Sequence, residues 1–180
     1  MLDKLENELK LRGFSEKTVS SYMFHNQNFL NFIEKVPESI AEEDIKSYLA
    51  HLISDKGLQS SSVNIALSAL KFFYKDILEM EIFSKVKAPK VDNKIPSVLT
   101  KAEVKELIGA PKNLKHRLLI EFLYSSGLRV SEAVSVKVSD MDMNERIGIV
   151  RGGKGKKDRL FILSNNIIEH IEKHIKKRER

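Results

Sequence analysis

The sequence contains no cysteine and no tryptophan, and proline occurs only four times among its 180 residues. Without cysteine, the chain can form neither a disulfide bond nor a thiolate metal site. No apolar run reaches the roughly 18 residues of a membrane-spanning helix, and the N-terminus does not have the pattern of a signal peptide. We therefore expect a soluble, cytoplasmic protein, whose apolar residues, 42% of the total, suffice for a hydrophobic core.

A large excess of acidic residues is also lacking, and the charge is unevenly distributed. Residues 1–90 contain 12 lysines and arginines against 13 aspartates and glutamates, whereas residues 91–180 contain 19 against 12. A basic half is typical of a polyanion partner, with nucleic acid the first candidate and an anionic membrane the second. Extra lysines can also serve only to keep a protein soluble, so the charge alone leaves the choice open.

The first half of the sequence has the periodic apolar pattern of four helices. The first helix ends before Gly13, and Ser15 has the position of a cap for the second. The third begins near residue 41 and ends before Gly57. The acidic residues in its first turn match the helix dipole. One of the serines at 60–62 is expected to cap the fourth helix. These patterns predict a compact helical bundle as the first domain.

A second domain is predicted after an extended linker. Residues 83–98 contain two prolines and four lysines with neither a helical nor an alternating period, which is typical of a linker. Thr100 and Glu103 have the spacing of a capping box, which predicts the start of a new helix. Further helices are predicted at 114–124 and 130–136.

The chain then changes from helical to β-prone sequence. Two short runs rich in Ile and Leu, at 147–151 and 159–163, flank a turn of glycines and lysines, which predicts a β-hairpin. A last amphipathic helix begins near Asn165 and continues to the end of the sequence. One hairpin beside a few helices makes a thin domain, so the second domain looks incomplete.

The stretch SSGLRVSEA, at residues 125–133, directly follows the apolar helix predicted at 114–124. We expect Arg129 to be held there against the packed end of that helix. Glu132 is three residues further on, so the two side chains would share one face of a helix. Two interpretations remain open: a salt bridge at a helix end, or a guanidinium that is presented to a phosphate and oriented by Glu132.

The turn RGGKGKKDR, at residues 151–159, does not fit the Walker pattern of a nucleotide-binding loop. It also joins a strand to a strand instead of a strand to a helix, so we do not expect ATP binding. Its cations fit a contact with a nucleic-acid backbone, although a solvated basic turn is the simpler alternative. These cations are Arg151, Lys154, Lys156, Lys157 and Arg159.

Other candidate residues have less specific patterns. His170 and His174 are one helical turn apart, but no third zinc ligand is evident, so we assign no metal and expect a solvent-facing pair. The tyrosines lie in apolar helical patterns, where a core position is the default, and none is a persuasive nucleophile. They are Tyr22, Tyr48, Tyr74 and Tyr124.

Two stretches in this order, SSGLRVSEAVSVKVSDMD and then GGKGKKDRLFIL, resemble the tyrosine recombinase (phage integrase) family, particularly its Xer branch. The resemblance extends over the whole chain and includes GFSEKTVSSY and SSSVNIALSALKFFY in the first half. It implies a mainly α fold. A four-helix, SAM-like core-binding domain would occupy residues 1–85, a linker 86–97, and the first part of an α+β catalytic domain with a β-hairpin 98–180.

The resemblance implies a site-specific DNA recombinase. In this family a tyrosine attacks the scissile phosphate, forming a 3′-phosphotyrosine and releasing a 5′-hydroxyl, with neither a metal nor a nucleotide cofactor. The implied partner is a double-stranded DNA recombination site, and the parent protein would assemble as a tetramer on two such sites, without a membrane. Arg129 corresponds to the family's first catalytic arginine, Glu132 to its supporting acidic residue, and Lys154 to the hairpin lysine that protonates the leaving oxygen.

We expect both domains to contact duplex DNA. The other cations of the basic turn would contact the DNA backbone: Arg151, Lys156, Lys157 and Arg159. In the first domain, the candidates lie in the N-terminal parts of the second and fourth helices: Lys17, Thr18, Ser60, Ser61, Asn64 and Lys71.

The sequence departs from the family after Ile162, because no later residues match its His-x-x-Arg motif, the following His or Trp, or the nucleophilic tyrosine. We therefore expect a fragment that binds DNA but cannot cleave it alone. The alternative is a non-catalytic DNA-binding protein derived from a truncated integrase. A third class, a helical protein-interaction module, predicts no DNA affinity. The target site, any partner recombinase, and the choice between chromosome dimer resolution and element integration stay open.

Overall fold

The computed structural model describes residues 2–91, 95–153 and 157–178. The chain divides into two compact units, Met1–Ile95 and Pro96–Arg180. The described residues are mostly helical with one small antiparallel sheet, which confirms the expected fold class. Among them, no helix combines the length and the apolar character that crossing a membrane requires.

The first unit is a helical bundle built around one apolar core. Large side chains from every helix, among them Leu5, Phe29, Ile45 and Tyr74, are fully or almost fully buried in it. Its elements are α1 (Leu2–Leu11), α2 (Glu16–Ile33), a 3₁₀ turn (Pro37–Ser39), α3 (Glu42–Ser54), α4 (Ser60–Leu70) and a π-helical segment (Lys71–Ile77).

Of the two helix caps predicted in the first unit, one is confirmed and the other is wrong. Ser15 caps α2, because its Oγ accepts the Thr18 N–H at 3.2 Å, as the sequence predicted. The prediction of a serine cap for α4 is wrong. Gln59 is the last residue with extended backbone and makes no side-chain cap bond, so Ser60 already lies inside the helix.

The predicted fourth helix also changes its hydrogen-bond register at Lys71, where the π segment begins. Beside this junction, the buried Asn26 donates through Nδ2 to the Tyr22 carbonyl at 2.9 Å and to the Ala69 carbonyl at 3.1 Å. A polar side chain thus joins α2 to the end of α4 in an otherwise apolar core.

The chain that follows the π segment remains attached to the first unit. Phe83 and Val86 are buried in its core. Glu42 accepts hydrogen bonds through Oε2 from the Ser84 hydroxyl and the Lys85 N–H. Asn64 donates through Nδ2 to the Pro89 carbonyl at 3.1 Å. The early part of the expected linker therefore packs on α3 and α4.

In its described residues, the second unit combines four helices with a three-stranded sheet of order β1-β2-β3. The predicted hairpin forms between β2 and β3, with Val150 opposite Arg159. The short strand β1 was not expected, because two residues carry no alternating pattern. The elements are α5 (Lys101–Gly109), α6 (Leu114–Ser126), α7 (Val130–Ser135), a 3₁₀ turn (Val138–Asp140), β1 (Met141–Asp142), β2 (Ile147–Val150), β3 (Arg159–Ile162) and α8 (Asn165–Arg178).

The core of the second unit lies between the sheet and helices α6 and α8. Phe161 of β3 packs edge-on against Phe122 of α6, with ring centroids 5.7 Å apart. Gly148 lies opposite Phe161 in the β2–β3 register, and a Cβ atom at Gly148 would fall 2.2 Å from the ring. The glycine therefore leaves room for the phenylalanine that joins sheet and helix.

Candidate functional site

The candidate site is centred on the carboxylate of Glu132 in α7, a residue that is only 8% exposed. Its Oε2 accepts the backbone N–H of Arg129 at 2.9 Å, and its Oε1 accepts Nη1 of the same arginine at 2.9 Å. Arg159 of β3 donates through Nη2 to Oε2 at 2.6 Å. Two arginines from different elements therefore meet on one carboxylate, and charged groups so close together form strong hydrogen bonds.

These contacts keep Glu132 ionised. The backbone N–H of Arg129, with the larger effect, and the guanidinium of Arg159 lower the pKa of Glu132 from 4.5 to about 2. Hydrogen bonds to the charged form favour that form, and here they outweigh the opposing effect of burial. The carboxylate therefore remains a negative anchor for both arginines at any ordinary pH.

Arg129 owes its position to the way α6 ends. Gly127 adopts the left-handed conformation (φ 63°) and closes α6, and Leu128 then turns into the core. Arg129 follows as the N-cap residue of α7, with Glu132 three positions inside that helix. This geometry is the one in which an acidic side chain reaches back to the cap N–H.

The expectation that Arg129 packs against the core is wrong. The core position belongs to Leu128, whereas the Arg129 side chain is 58% exposed and is held at one edge by Glu132. The two interpretations that the sequence left open are thus compatible. A salt bridge is present, and it orients a guanidinium that still faces solvent.

The two ends of the basic turn are closed by hydrogen bonds. The Gly152 N–H donates to Asp158 Oδ1 at 2.7 Å, and the Gly153 N–H donates to the Lys157 carbonyl at 3.0 Å. Arg151 forms an ion pair with Asp140, since its Nε lies 2.8 Å from Oδ1. Lys157 is exposed. Lys154 and Lys156 lie outside the described residues.

An open cleft with a volume of about 420 Å³ separates α7 from β2. Arg129 and Glu132 line it from the helix, and Arg151 and Gly153 line it from the hairpin. The structure thus brings Arg129, Glu132, Arg151 and Arg159 to one place in the second unit. An arginine with a free face beside such a cleft can bind a phosphate through its planar array of donors.

The predicted DNA contacts of the first unit occupy different environments. Lys17 and Ser61 are exposed near helix starts, whereas the other four residues are half-buried. The Thr18 hydroxyl is bonded to Ser15, and the Asn64 amide is bonded to Pro89. The half-buried residues are Thr18, Ser60, Asn64 and Lys71.

The sequence predicted that the histidine pair of α8 faces solvent, but both histidines lie beside α6. His170 Nδ1 lies 2.7 Å from Glu121 Oε2 of α6, and His174 is half-buried, because α8 packs against α6. Within residues 2–91, 95–153 and 157–178, no group of three or more His, Cys, Asp or Glu side chains is arranged to hold a metal ion.

The prediction for the tyrosines is confirmed for Tyr48 and Tyr74, which are buried, and Tyr22 is half-buried against the same core. It is wrong for Tyr124, which is 59% exposed. Phe122 is the buried residue of α6, and two positions along a helix correspond to a rotation of about 200°. Tyr124 therefore lies on the opposite side of α6.

Two residues of the site, Asp140 and Asp158, were missed in the sequence. Asp158 stands directly before β3 and closes the turn, a role in which aspartate is common, so its position was a usable signal. Asp140 is eleven residues from its partner Arg151, and no local pattern connects them.

Two family models match the chain. The model of the phage integrase N-terminal SAM-like domain matches residues 1–83, and that of the phage integrase family matches residues 97–180. The chain belongs to the phage integrase family. The match confirms the resemblance seen in the Arg129 and hairpin motifs.

Curated relatives of this integrase-family chain include recombinases of archaea and bacteria. Tyrosine recombinase XerA of Pyrococcus horikoshii is 34% identical over 180 residues, which are 99% of this chain and 61% of the relative. An integrase/recombinase of Escherichia coli is 28% identical over 178 residues, which are 97% of this chain and 52% of the relative. The chain thus spans between about half and three fifths of these relatives.

Solved structures of integrases share its fold. A lambda integrase tetramer bound to a Holliday junction matches with a TM-score of 0.71 and 24% identity, over 96% of this chain and 52% of that one. XerH recombinase bound to palindromic difH substrate matches with a TM-score of 0.65 and 21% identity, over 99% and 57%. The expected combination of a SAM-like N-terminal domain with an integrase catalytic-domain fold is confirmed.

Proposed function

We propose that this chain is the DNA-binding and partial active-site portion of a site-specific DNA recombinase of the tyrosine type. The observation that carries the proposal is the presentation of Arg129. Its guanidinium is anchored at one edge by the buried Glu132, while 58% of the side chain remains exposed beside an open cleft. Membership of the phage integrase family supports the same conclusion.

Arg129 would bind the scissile phosphate. Charge spreads over the phosphoryl oxygens in the transition state, so an arginine that is already oriented stabilises that state more than the ground state. Glu132 would keep the guanidinium in place without contacting DNA, because it is buried. Lys154, which the motif aligns with the family's hairpin lysine, would protonate the leaving 5′-oxygen.

The substrate would be a double-stranded DNA recombination site, and the parent protein would act as a tetramer on two sites, without a cofactor. XerH has been solved on its DNA substrate, and lambda integrase as a tetramer on a Holliday junction, which supports this proposal. The basic second half of the chain fits contacts with DNA phosphates.

The 180 residues alone would bind DNA without cleaving it. The residues after Ile162 contain no match to the family's His-x-x-Arg motif or its nucleophilic tyrosine. The same observation keeps a second candidate, a DNA-binding protein without catalysis. A reading frame that continues into these motifs would favour the recombinase, and a stop codon at that point would favour the binding protein.

The test is Arg129→Ala in a protein in which the remaining family motifs follow residue 180. We expect strand cleavage to fall about 10²- to 10³-fold while binding to the same DNA is largely retained, because the arginine acts mainly in the transition state. Arg146→Ala, which removes an exposed arginine from the other end of β2, is the matched control and should retain cleavage. Equal losses of binding and cleavage for Arg129→Ala would contradict the proposed role.

A further inference from the structure

Arg159 does not have the surroundings of a simple DNA contact. Its guanidinium donates to Glu132 at 2.6 Å, the shortest of the hydrogen bonds to that carboxylate, and only 39% of its side chain is exposed. The sequence had grouped it with the other cations of the basic turn. In the structure its charge is already paired with a buried anion.

The two oxygens of Glu132 have different partners. Oε1 binds the Arg129 guanidinium, whereas Oε2 binds the Arg129 backbone and Arg159. Both bonds from Arg129 come from the cap of the same short helix that carries Glu132. Arg159 adds a cation from a separate element, and this contact on Oε2 helps to fix the carboxylate plane and thus the direction in which Oε1 holds Arg129.

The hairpin passes close to the same carboxylate at a second point. A Cβ atom added to Gly153 would lie 3.5 Å from Glu132 Oε1 and 3.0 Å from the Lys157 carbonyl. Gly153 and Lys157 are also joined by a backbone hydrogen bond. The described base of the hairpin is therefore bonded to Glu132 through Arg159 and passes close to the same carboxylate at Gly153.

We infer that Arg159 is a positioning residue for Arg129, acting through Glu132, and that it does not bind a DNA phosphate. The inference rests on the proposed function, since it takes Arg129 as the group that binds phosphate. It adds that the direction of Arg129 depends on a strand residue that lies 27 positions after Glu132 in the chain. Glu132 thereby fixes the position of Arg129 relative to the hairpin.

The test uses the 180-residue chain with Arg159→Met, which keeps an apolar stem but removes the charge. Lys157→Met removes an exposed cation two residues away and is the matched control. NMR would follow the Glu132 carboxyl carbon through a pH titration and the Nη protons of Arg129. Fluorescence anisotropy with duplex DNA would give the salt dependence of binding for each variant.

For Arg159→Met we expect the pKa of Glu132 to rise by about 1 unit or more, and the Arg129 Nη signals to shift or broaden. The slope of log K against log salt should stay at the wild-type value. Lys157→Met should leave both NMR signals unchanged. If Arg159→Met unfolds the second unit, Arg159→Lys takes its place, because lysine keeps the charge but not the planar donors, and a smaller pKa rise is expected.

The inference is overturned if the salt slope of the Arg159 variant becomes less steep by about 0.9, the value for one lost phosphate contact, whatever happens to Glu132. It is also overturned if the Glu132 and Arg129 signals do not change. Absence of DNA binding by the wild-type chain is a different result. It would contradict the proposed function and would leave the NMR result to stand separately.

Discussion

Three N–H groups converge on the carboxylate of Glu132, and they explain how a short helix presents an arginine. Two come from Arg129, through its backbone and its side chain, and one comes from Arg159. The first pair is a local consequence of the N-cap and its third helical position. The third contact requires the folded hairpin. The two bonds from Arg129 are therefore encoded in the consecutive residues 125–133, whereas the bond from Arg159 forms only in the tertiary structure.

Glu132→Gln tests the contribution of this carboxylate to stability. Its folded pKa of about 2 lies below the ordinary value of 4.5. Its stabilising effect is therefore fully present above pH 4.5 and is lost as the pH falls towards 2. We expect Glu132→Gln to lower the Tm of the second unit at pH 7 and to lower it less at pH 3. Thermal unfolding followed by circular dichroism at both pH values measures this.

Glu145→Gln, which alters an exposed carboxylate of the same unit, is the control for that titration. It should change the Tm little at either pH, since exposed carboxylates contribute little to stability. A Tm loss for Glu132→Gln that is as large at pH 3 as at pH 7 would show that the effect comes from shape and not from charge.

Gly148→Ala is expected to destabilise the second unit by about 1–3 kcal/mol, the usual cost of overpacking a core. The added methyl group would fall 2.2 Å from the Phe161 ring, which is buried. Urea unfolding measures the loss. Gly109→Ala is the control, because nothing lies within 4 Å of its added Cβ, and it should be neutral or slightly stabilising. Equal stability of both variants would contradict the packing described for β2 and β3.

At the scale of elements, local signals in the sequence predicted most starts and ends correctly. Ser15 caps α2, and Thr100 with Glu103 forms a capping box on α5. Each of these depends on residues three positions apart. The serine cap expected for α4 shows that a local signal can fail. Two other features were missed because they join residues far apart in the sequence: the hydrogen bond from Asn26 to the Ala69 carbonyl, and the pairing of Arg159 with Glu132. No local pattern reports contacts of that kind.

The attachment of the linker to α4 gives a prediction at this scale. Asn64→Ala removes the hydrogen bond to the Pro89 carbonyl, so we expect faster trypsin cleavage after Lys85 and Lys87. DNA affinity should be unchanged, because the Asn64 amide is engaged with the backbone and not available to DNA. Limited proteolysis and anisotropy measure the two effects.

Ser61→Ala is the matched control, since Ser61 is exposed on the same helix. It should leave the cleavage rate unchanged. If Asn64→Ala instead weakens DNA binding without increasing cleavage, the sequence-based interpretation of Asn64 as a DNA contact is the better one.

At the scale of the whole molecule, the two units have similar lengths but different net charges. The first half of the sequence has one more acidic than basic residue, whereas the second half has seven more basic than acidic residues. Some of this positive charge is neutralised within the fold, since Arg151 pairs with Asp140 and Arg159 with Glu132. The remaining cations, together with Arg129, are the ones we expect to face DNA.

The central claim is that this chain binds DNA by contacting the DNA phosphates, and the salt dependence of duplex binding tests it most directly. Anisotropy would be measured with the 180-residue protein from about 50 to 200 mM salt. We predict a linear fall of log K against log salt, with a slope of roughly −0.9 for each phosphate contacted, so that several contacts give a steep line. Binding that is absent, or that does not change with salt, would contradict the claim and would favour a helical protein-interaction module.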